Sequence, residues 1–174
     1  MEERKPLSHI AAGLLIALAV ILVSVLLAFL SGANAGTGVG WIGFLVMIFG
    51  LMFFIQRYGK ALNYRASFGD YFNYGFKATT LIVLLYVVYL LGLAFLVPDI
   101  KQKVLEATRL ELEKRKNFSD SEIENTIQMT NKYFWLALIG TSMFFLAFIG
   151  AIGSLIGAAV TKKLPKNPFE STSL

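Results

Sequence analysis

The chain has 174 residues, of which 56% are apolar and only 16% are charged, with a net charge of +5. A soluble domain carries about 25% charged residues, whereas this chain has no Asp, Glu, Lys or Arg between Lys5 and Arg57, a gap that a water-facing surface does not tolerate. No cysteine and a single histidine, His9, exclude disulfide frameworks, thiol nucleophiles, Cys-based zinc sites and clustered-His metal sites.

Four segments are long and apolar enough to cross about 30 Å of hydrocarbon, which takes roughly 20 helical residues. The first covers about 10–30, the second about 39–55, the third about 78–97 and the fourth about 133–161. Backbone polar groups must be paired within lipid, and none of these runs shows the alternation of a barrel strand. The predicted fold is therefore all-α: a four-helix transmembrane bundle forming a single membrane domain over 1–174. Ala33-Asn34-Ala35 has the form of a leader-cleavage site. The apolar run before it exceeds the roughly 7–15 residues of a signal peptide, and Glu2 and Glu3 offset Arg4 and Lys5, so the first segment is read as a retained span.

Orientation follows from the basic residues. The N-terminal tail carries Arg4 and Lys5, the second connection Arg57, Lys60, Arg65 and Lys77, and the C-terminal tail Lys162, Lys163 and Lys166. Both termini are accordingly expected in the cytoplasm, with nine basic residues on that side. The net positive charge is read as this orientation signal and not as a nucleic-acid surface. Trp41, Tyr133 and Trp135 fall at the expected outer boundary, and Tyr58, Tyr64, Tyr71 and Tyr74 at the inner one, as interfacial rings do.

The connection 98–132 is the only long one, with seven bases balanced by seven acids. Ile100, Val104 and Ala107 form one apolar stripe, and Leu105 with Leu112 a second. Asn117-Phe118 interrupts, and Ser119-Asp120-Ser121-Glu122 then has the form of a capping box. The connection is predicted to be a helical extracytoplasmic hairpin between membrane helices 3 and 4. Ser67-Phe68-Gly69-Asp70 is a similar start signal ahead of the third span. The tail 163–174, with Pro165 and Pro168 and few apolar groups, is expected to be disordered.

These placements bring together Asn63-Tyr64-Arg65 just before Ser67-Phe68-Gly69, then Tyr71-Phe72-Asn73-Tyr74-Gly75-Phe76, Pro98-Asp99 closing the third span, an acid-rich helical connection and a Gly-rich last span. In these features the chain resembles the bacterial domain-of-unknown-function 4199 family of four-span membrane proteins. The resemblance implies a multi-pass protein of the bacterial inner membrane and carries no activity with it.

No catalytic, nucleotide-binding or metal-binding constellation is present, and no cofactor is expected. An ionisable residue deep in the hydrocarbon would point to function, since placing one there costs about 2.5–3.5 kcal/mol or more. His9, Arg57 and Lys77 all fall at span edges instead. Tyr86 and Tyr89 share one face near mid-membrane. They fit either a polar lining for a small permeant or interhelical hydrogen bonds to Ser24, Thr141, Ser142 or a carbonyl. Gly150, Gly153, Ser154, Gly157 and Ala158 give the fourth span a small-residue face, as Gly13, Ala17, Ser24 and Ala28 do the first, and the two are expected to pack on each other. Arg65, Tyr71, Tyr74 and Lys77 fit contact with lipid head groups at the inner interface. The leading function is a non-enzymatic structural or accessory protein acting on the bilayer, or on a protein partner or second copy through 98–132. The alternative is a small oligomeric channel or carrier lined by Tyr86, Tyr89 and neighbouring hydroxyls.

Overall fold

A computed structural model describes residues 6–31, 40–115 and 117–164. The connection at 32–39 and the tail from residue 165 lie outside the described residues. All regular structure among the described residues is helical: α1 (His9–Ser31), α2 (Gly40–Ala61), α3 (Phe68–Leu96), α4 (Ile100–Lys114) and α5 (Asp120–Val160). Four of them, α1, α2, α3 and α5, are long and apolar enough to cross a membrane.

Local chemistry sets where the helices begin. Ser8 Oγ accepts the Ala11 N–H at 3.2 Å and caps α1. At α3 the Asp70 N–H donates to Ser67 Oγ at 3.2 Å, while the Ser67 N–H donates to Asp70 Oδ2 at 2.9 Å. The same reciprocal arrangement joins Ser119 and Glu122 ahead of α5. Each box satisfies amides that a first helical turn leaves without partners. The Ser119 N–H and hydroxyl also hold the Glu122 carboxyl below its usual range.

The four long helices form a ring in the order α1, α2, α5, α3, with α2 and α3 also touching across it. Matching depths give their directions. Gly13 of α1 lies against Ala78 and Leu81 of α3, so these two helices run parallel. Gly153 and Gly157 of α5 lie against Ile48 and Met52 of α2, so that pair is parallel too. Contrary to the expected pairing of the first and last spans, the small-residue face of α5 is turned to α2 and α3. A Cβ added at Gly153 or Gly157 would stand 3.3 Å from the Ile48 or Met52 Cα, so the two backbones approach within reach of dispersion contact. On the α3 side, Thr79 and Ser154 meet at 3.5 Å while each hydroxyl bonds a carbonyl of its own helix, Gly75 O at 3.0 Å and Gly150 O at 2.7 Å.

The core is concentrated at the end of the bundle where residues 6–8 and 161–164 lie. Its buried members are Ala12, Ile16, Ala17 and Val20 of α1, Met47, Leu51 and Ile55 of α2, Tyr71, Tyr74, Ala78, Ile82 and Val83 of α3, and Leu146 and Ala158 of α5. At the other end α5 extends well past the bundle. Its 41 residues span about 62 Å at 1.5 Å per residue, about twice the hydrocarbon thickness. The first third of α5 packs against α4, and on this part of α5 and just beyond it Ile123, Ile127 and Phe134 are buried at helical spacing. Arg109 bridges Glu124 across the two helices at 2.8 Å. On α4 Ile100, Lys101, Leu105, Thr108 and Leu112 are half-buried, whereas Val104 and Ala107 are exposed. Of the two apolar stripes, then, the Leu105–Leu112 one faces α5.

Substitution of the glycines separates packing from helix propensity. Gly75→Ala places a Cβ 2.7 Å from both Ile55 Cδ1 and Ser154 Oγ, whereas Gly92 and Gly140 have nothing within 4 Å. Gly75→Ala is expected to lower stability by about 1–3 kcal/mol through overpacking. Gly92→Ala should be neutral or stabilising by up to about 1 kcal/mol. Thermal midpoints of the purified variants in one detergent check the contrast.

Candidate functional site

Three places gather polar chemistry: a tyrosine cluster at the end that holds the chain termini, a cavity between the four long helices, and the α4–α5 arm.

In the tyrosine cluster, Tyr58 of α2 stacks on Tyr74 of α3 with ring centroids 4.2 Å apart and meets Tyr71 edge-on at 6.3 Å. His9 of α1 lies edge-on to Tyr74 at 6.5 Å. The Tyr74 hydroxyl donates to the Leu7 carbonyl at 3.0 Å, and the Tyr71 hydroxyl makes a longer contact of 3.5 Å to the Lys162 carbonyl. The rings of α2 and α3 thus hold the entry to α1 and the exit of α5. A buried hydroxyl without a partner is costly, and here the partners are carbonyls outside the helices, where backbone acceptors are open.

The turn between α2 and α3 completes this end. Asn63 and Tyr64 adopt left-handed backbone, with φ of 50° and 59°. Asn tolerates that region, while for Tyr it costs of order 1–3 kcal/mol and needs fixing from outside. The fixing contacts are visible: the Tyr64 N–H donates to Gly59 O at 2.8 Å and its carbonyl accepts the Leu164 N–H at 2.9 Å. The Lys162 ammonium sits 5.9 Å from the Tyr64 ring, and Lys163 5.6 Å from the Phe68 ring.

Of the four residues read as head-group contacts, Tyr71 and Tyr74 point into the bundle and are buried. Arg65 and Lys77 are exposed at its rim, so of the four only these two present charge at the surface. The small residues Gly150, Gly153, Ser154, Gly157 and Ala158 are all buried on one face of α5.

The cavity has a volume of about 180 Å³ and is lined by Val20, Ser24, Gly43, Phe44, Tyr86, Ser142 and Leu146, so every long helix contributes to its wall. Ser24 Oγ donates to Val20 O at 2.8 Å. Tyr86 reaches the wall, whereas Tyr89 stands beside it, the two rings 5.4 Å apart and tilted. Thr141 is exposed and does not join them. Among the described residues there is no group of three His, Cys, Asp or Glu placed to hold a metal ion.

The family model described as "Protein of unknown function (DUF4199)" matches residues 11–163, which run from the first turn of α1 to just beyond α5. The chain belongs to this family. The match takes in the tyrosine cluster, the cavity and the arm. No curated protein and no solved structure matches the chain.

Sequence reading placed Tyr58 at the inner boundary without joining it to a buried cluster, and it named Ser24, Tyr86 and Ser142 without the apolar residues Val20, Phe44 and Leu146 that complete the cavity wall. Tyr58 carries a signal only after α2 and α3 are placed side by side, because nothing local distinguishes it from an interfacial anchor. The cluster makes a graded prediction. Tyr74→Phe removes a bond of 3.0 Å and should cost about 1 kcal/mol. Tyr71→Phe, which loses only the 3.5 Å contact, should cost less. Amide exchange near Leu7 should accelerate in the Tyr74 variant alone.

Proposed function

We propose that the protein is a non-enzymatic accessory protein of the bacterial inner membrane that acts by contact, through the arm formed by α4 and the first third of α5. The observation that carries this reading is the continuity of α5 from Asp120 to Val160. A helix without a break joins the arm to the most tightly packed face of the bundle, so a partner held by the arm is held relative to the membrane. The arm is also the largest part of the protein that lies beyond the bilayer. Its sequence, 98–132, has balanced charge, and Val104, Leu110 and Met129 expose apolar surface on it. Such a surface fits a protein partner better than an anionic membrane, which selects for basic excess.

The orientation in this reading places the arm outside the cytoplasm and the tyrosine cluster inside. It is supported by the nine basic residues assigned to the cytoplasmic side and the lack of any in the 31–38 connection. Passage of a solute past Tyr86 and Tyr89 is less well supported. Met47, Leu51, Ile55, Ile82 and Tyr71 are each at most 1% exposed, and they fill the interior between the cavity and the cytoplasmic end.

The absence of cysteine makes site-directed labelling clean. In spheroplasts an impermeant maleimide should modify Ser121→Cys directly and Lys60→Cys only after lysis; the reverse pattern overturns the orientation. A photo-crosslinking residue at Leu110 or Met129 should give a discrete protein adduct in cells, while one at lipid-facing Phe148 should not. If no arm position gives an adduct above the Phe148 background, the contact function is wrong.

A further inference from the structure

The cavity carries an inference independent of the arm. On α1 no residue is buried between Val20 and Leu30, and on α5 none is buried between Phe134 and Leu146. On these two helices full burial therefore stops at the level of the cavity, while on α3 Leu90 is buried one turn beyond it. Its floor is the core, with Met47 and Ile82 fully buried below it.

The wall has a mixed character. Val20, Phe44 and Leu146 supply apolar surface, and Ser24, Tyr86 and Ser142 supply three hydroxyls. No Asp, Glu, Lys, Arg or His is among the lining residues, so a charged occupant would be left without a counter-ion in a low-dielectric site. An apolar cavity of about 150 Å³ accepts benzene. This one is somewhat larger, at about 180 Å³, and adds hydrogen-bonding groups. Ser24 already donates to Val20 O, which leaves its oxygen lone pairs to accept. Tyr86 makes no hydrogen bond among the described residues and can donate. A hydroxyl group, donor and acceptor at once, satisfies both, whereas an ether, a carbonyl or a hydrocarbon does not.

We propose that this cavity is a binding site for a small uncharged hydroxyl compound with an apolar body, of about the size of a substituted phenol, taken up through the open side of the cavity between the helices. Gly43 is the residue that leaves the room. A Cβ there would meet only Val20 Cγ1, at an ordinary 3.9 Å, so a larger side chain at this position fills the space without a backbone clash.

The test uses the full chain in lipid nanodiscs with 4-fluorophenol as probe and 4-fluorotoluene, the same shape without the hydroxyl, as control, both read by fluorine NMR against protein-free nanodiscs. The expected result is saturable binding of 4-fluorophenol above bilayer partition, with at least five-fold weaker binding of 4-fluorotoluene. Gly43→Leu should abolish saturation while the thermal midpoint is kept. Tyr86→Phe should retain a site but erase most of the preference for the phenol, and Ser142→Val provides a second wall variant if Gly43→Leu does not fold. Probe signals that rise linearly with lipid and are the same for wild type and Gly43→Leu would overturn the proposal. So would equal saturation by both probes, which marks an apolar void only. Saturation unchanged in all three variants places the site elsewhere and also overturns it.

Discussion

The contact on which the bundle depends is the approach of the α5 small-residue face to the α2 backbone. Lipid tails are as apolar as the side chains they surround, so hydrophobic burial gives helices little reason to meet within a membrane. Dispersion replaces it, and dispersion falls off within a fraction of an ångström of contact distance. Gly153 and Gly157 bring the Ile48 and Met52 Cα atoms into that range, and Ser154 beside them meets Thr79 of α3. Once α5 is seated between α2 and α3, α1 closes the ring through Gly13 and Ala78. The core is therefore concentrated where the small residues are. Toward the arm they thin out, and the cavity lies where full burial on α1 and α5 is interrupted.

The end holding the tyrosine cluster is secured by different chemistry. There the helices end, carbonyls and amides lose their intrahelical partners, and aromatic hydroxyls reach across to them. Tyr74 and Tyr71 bind segments on opposite sides of the ring, with Tyr58 stacked between, so that one set of rings ties α1, α2, α3 and the exit of α5. The strained Tyr64 belongs to the same closure: its carbonyl takes the Leu164 amide, which draws the chain after α5 back across the α2–α3 turn.

How much of this was legible in the sequence depends on how local each signal is. The four apolar runs and the two capping boxes at Ser67 and Ser119 are written in consecutive residues, and the helices start where those boxes say. Helix pairing is not local. Small residues on the first and fourth spans state that something approaches closely without stating what, and the partners proved to be the second and third helices. Tyr71 and Tyr74 read as interfacial anchors because an anchor and a buried cluster use the same residue at the same depth; only Tyr58, thirteen positions before Tyr71, decides between them. Asn63 announces a left-handed turn and Tyr64 does not. Of the cavity wall, the hydroxyls of Ser24, Tyr86 and Ser142 were legible as mid-membrane polar groups, whereas its apolar members and its volume have no local signature because they depend on how four helices are juxtaposed.

The unbroken α5 helix also makes the protein a lever. Gly150 lies in its clamped part and Asp120 at its free end, some thirty residues away, a distance of about 45 Å at 1.5 Å per residue. A change of tilt of about 10° at the clamp, of the size a bilayer imposes when its thickness changes, carries the tip through about 8 Å. Displacements too small to disturb a packed core would thus be amplified along α5 into a shift of the arm several times larger.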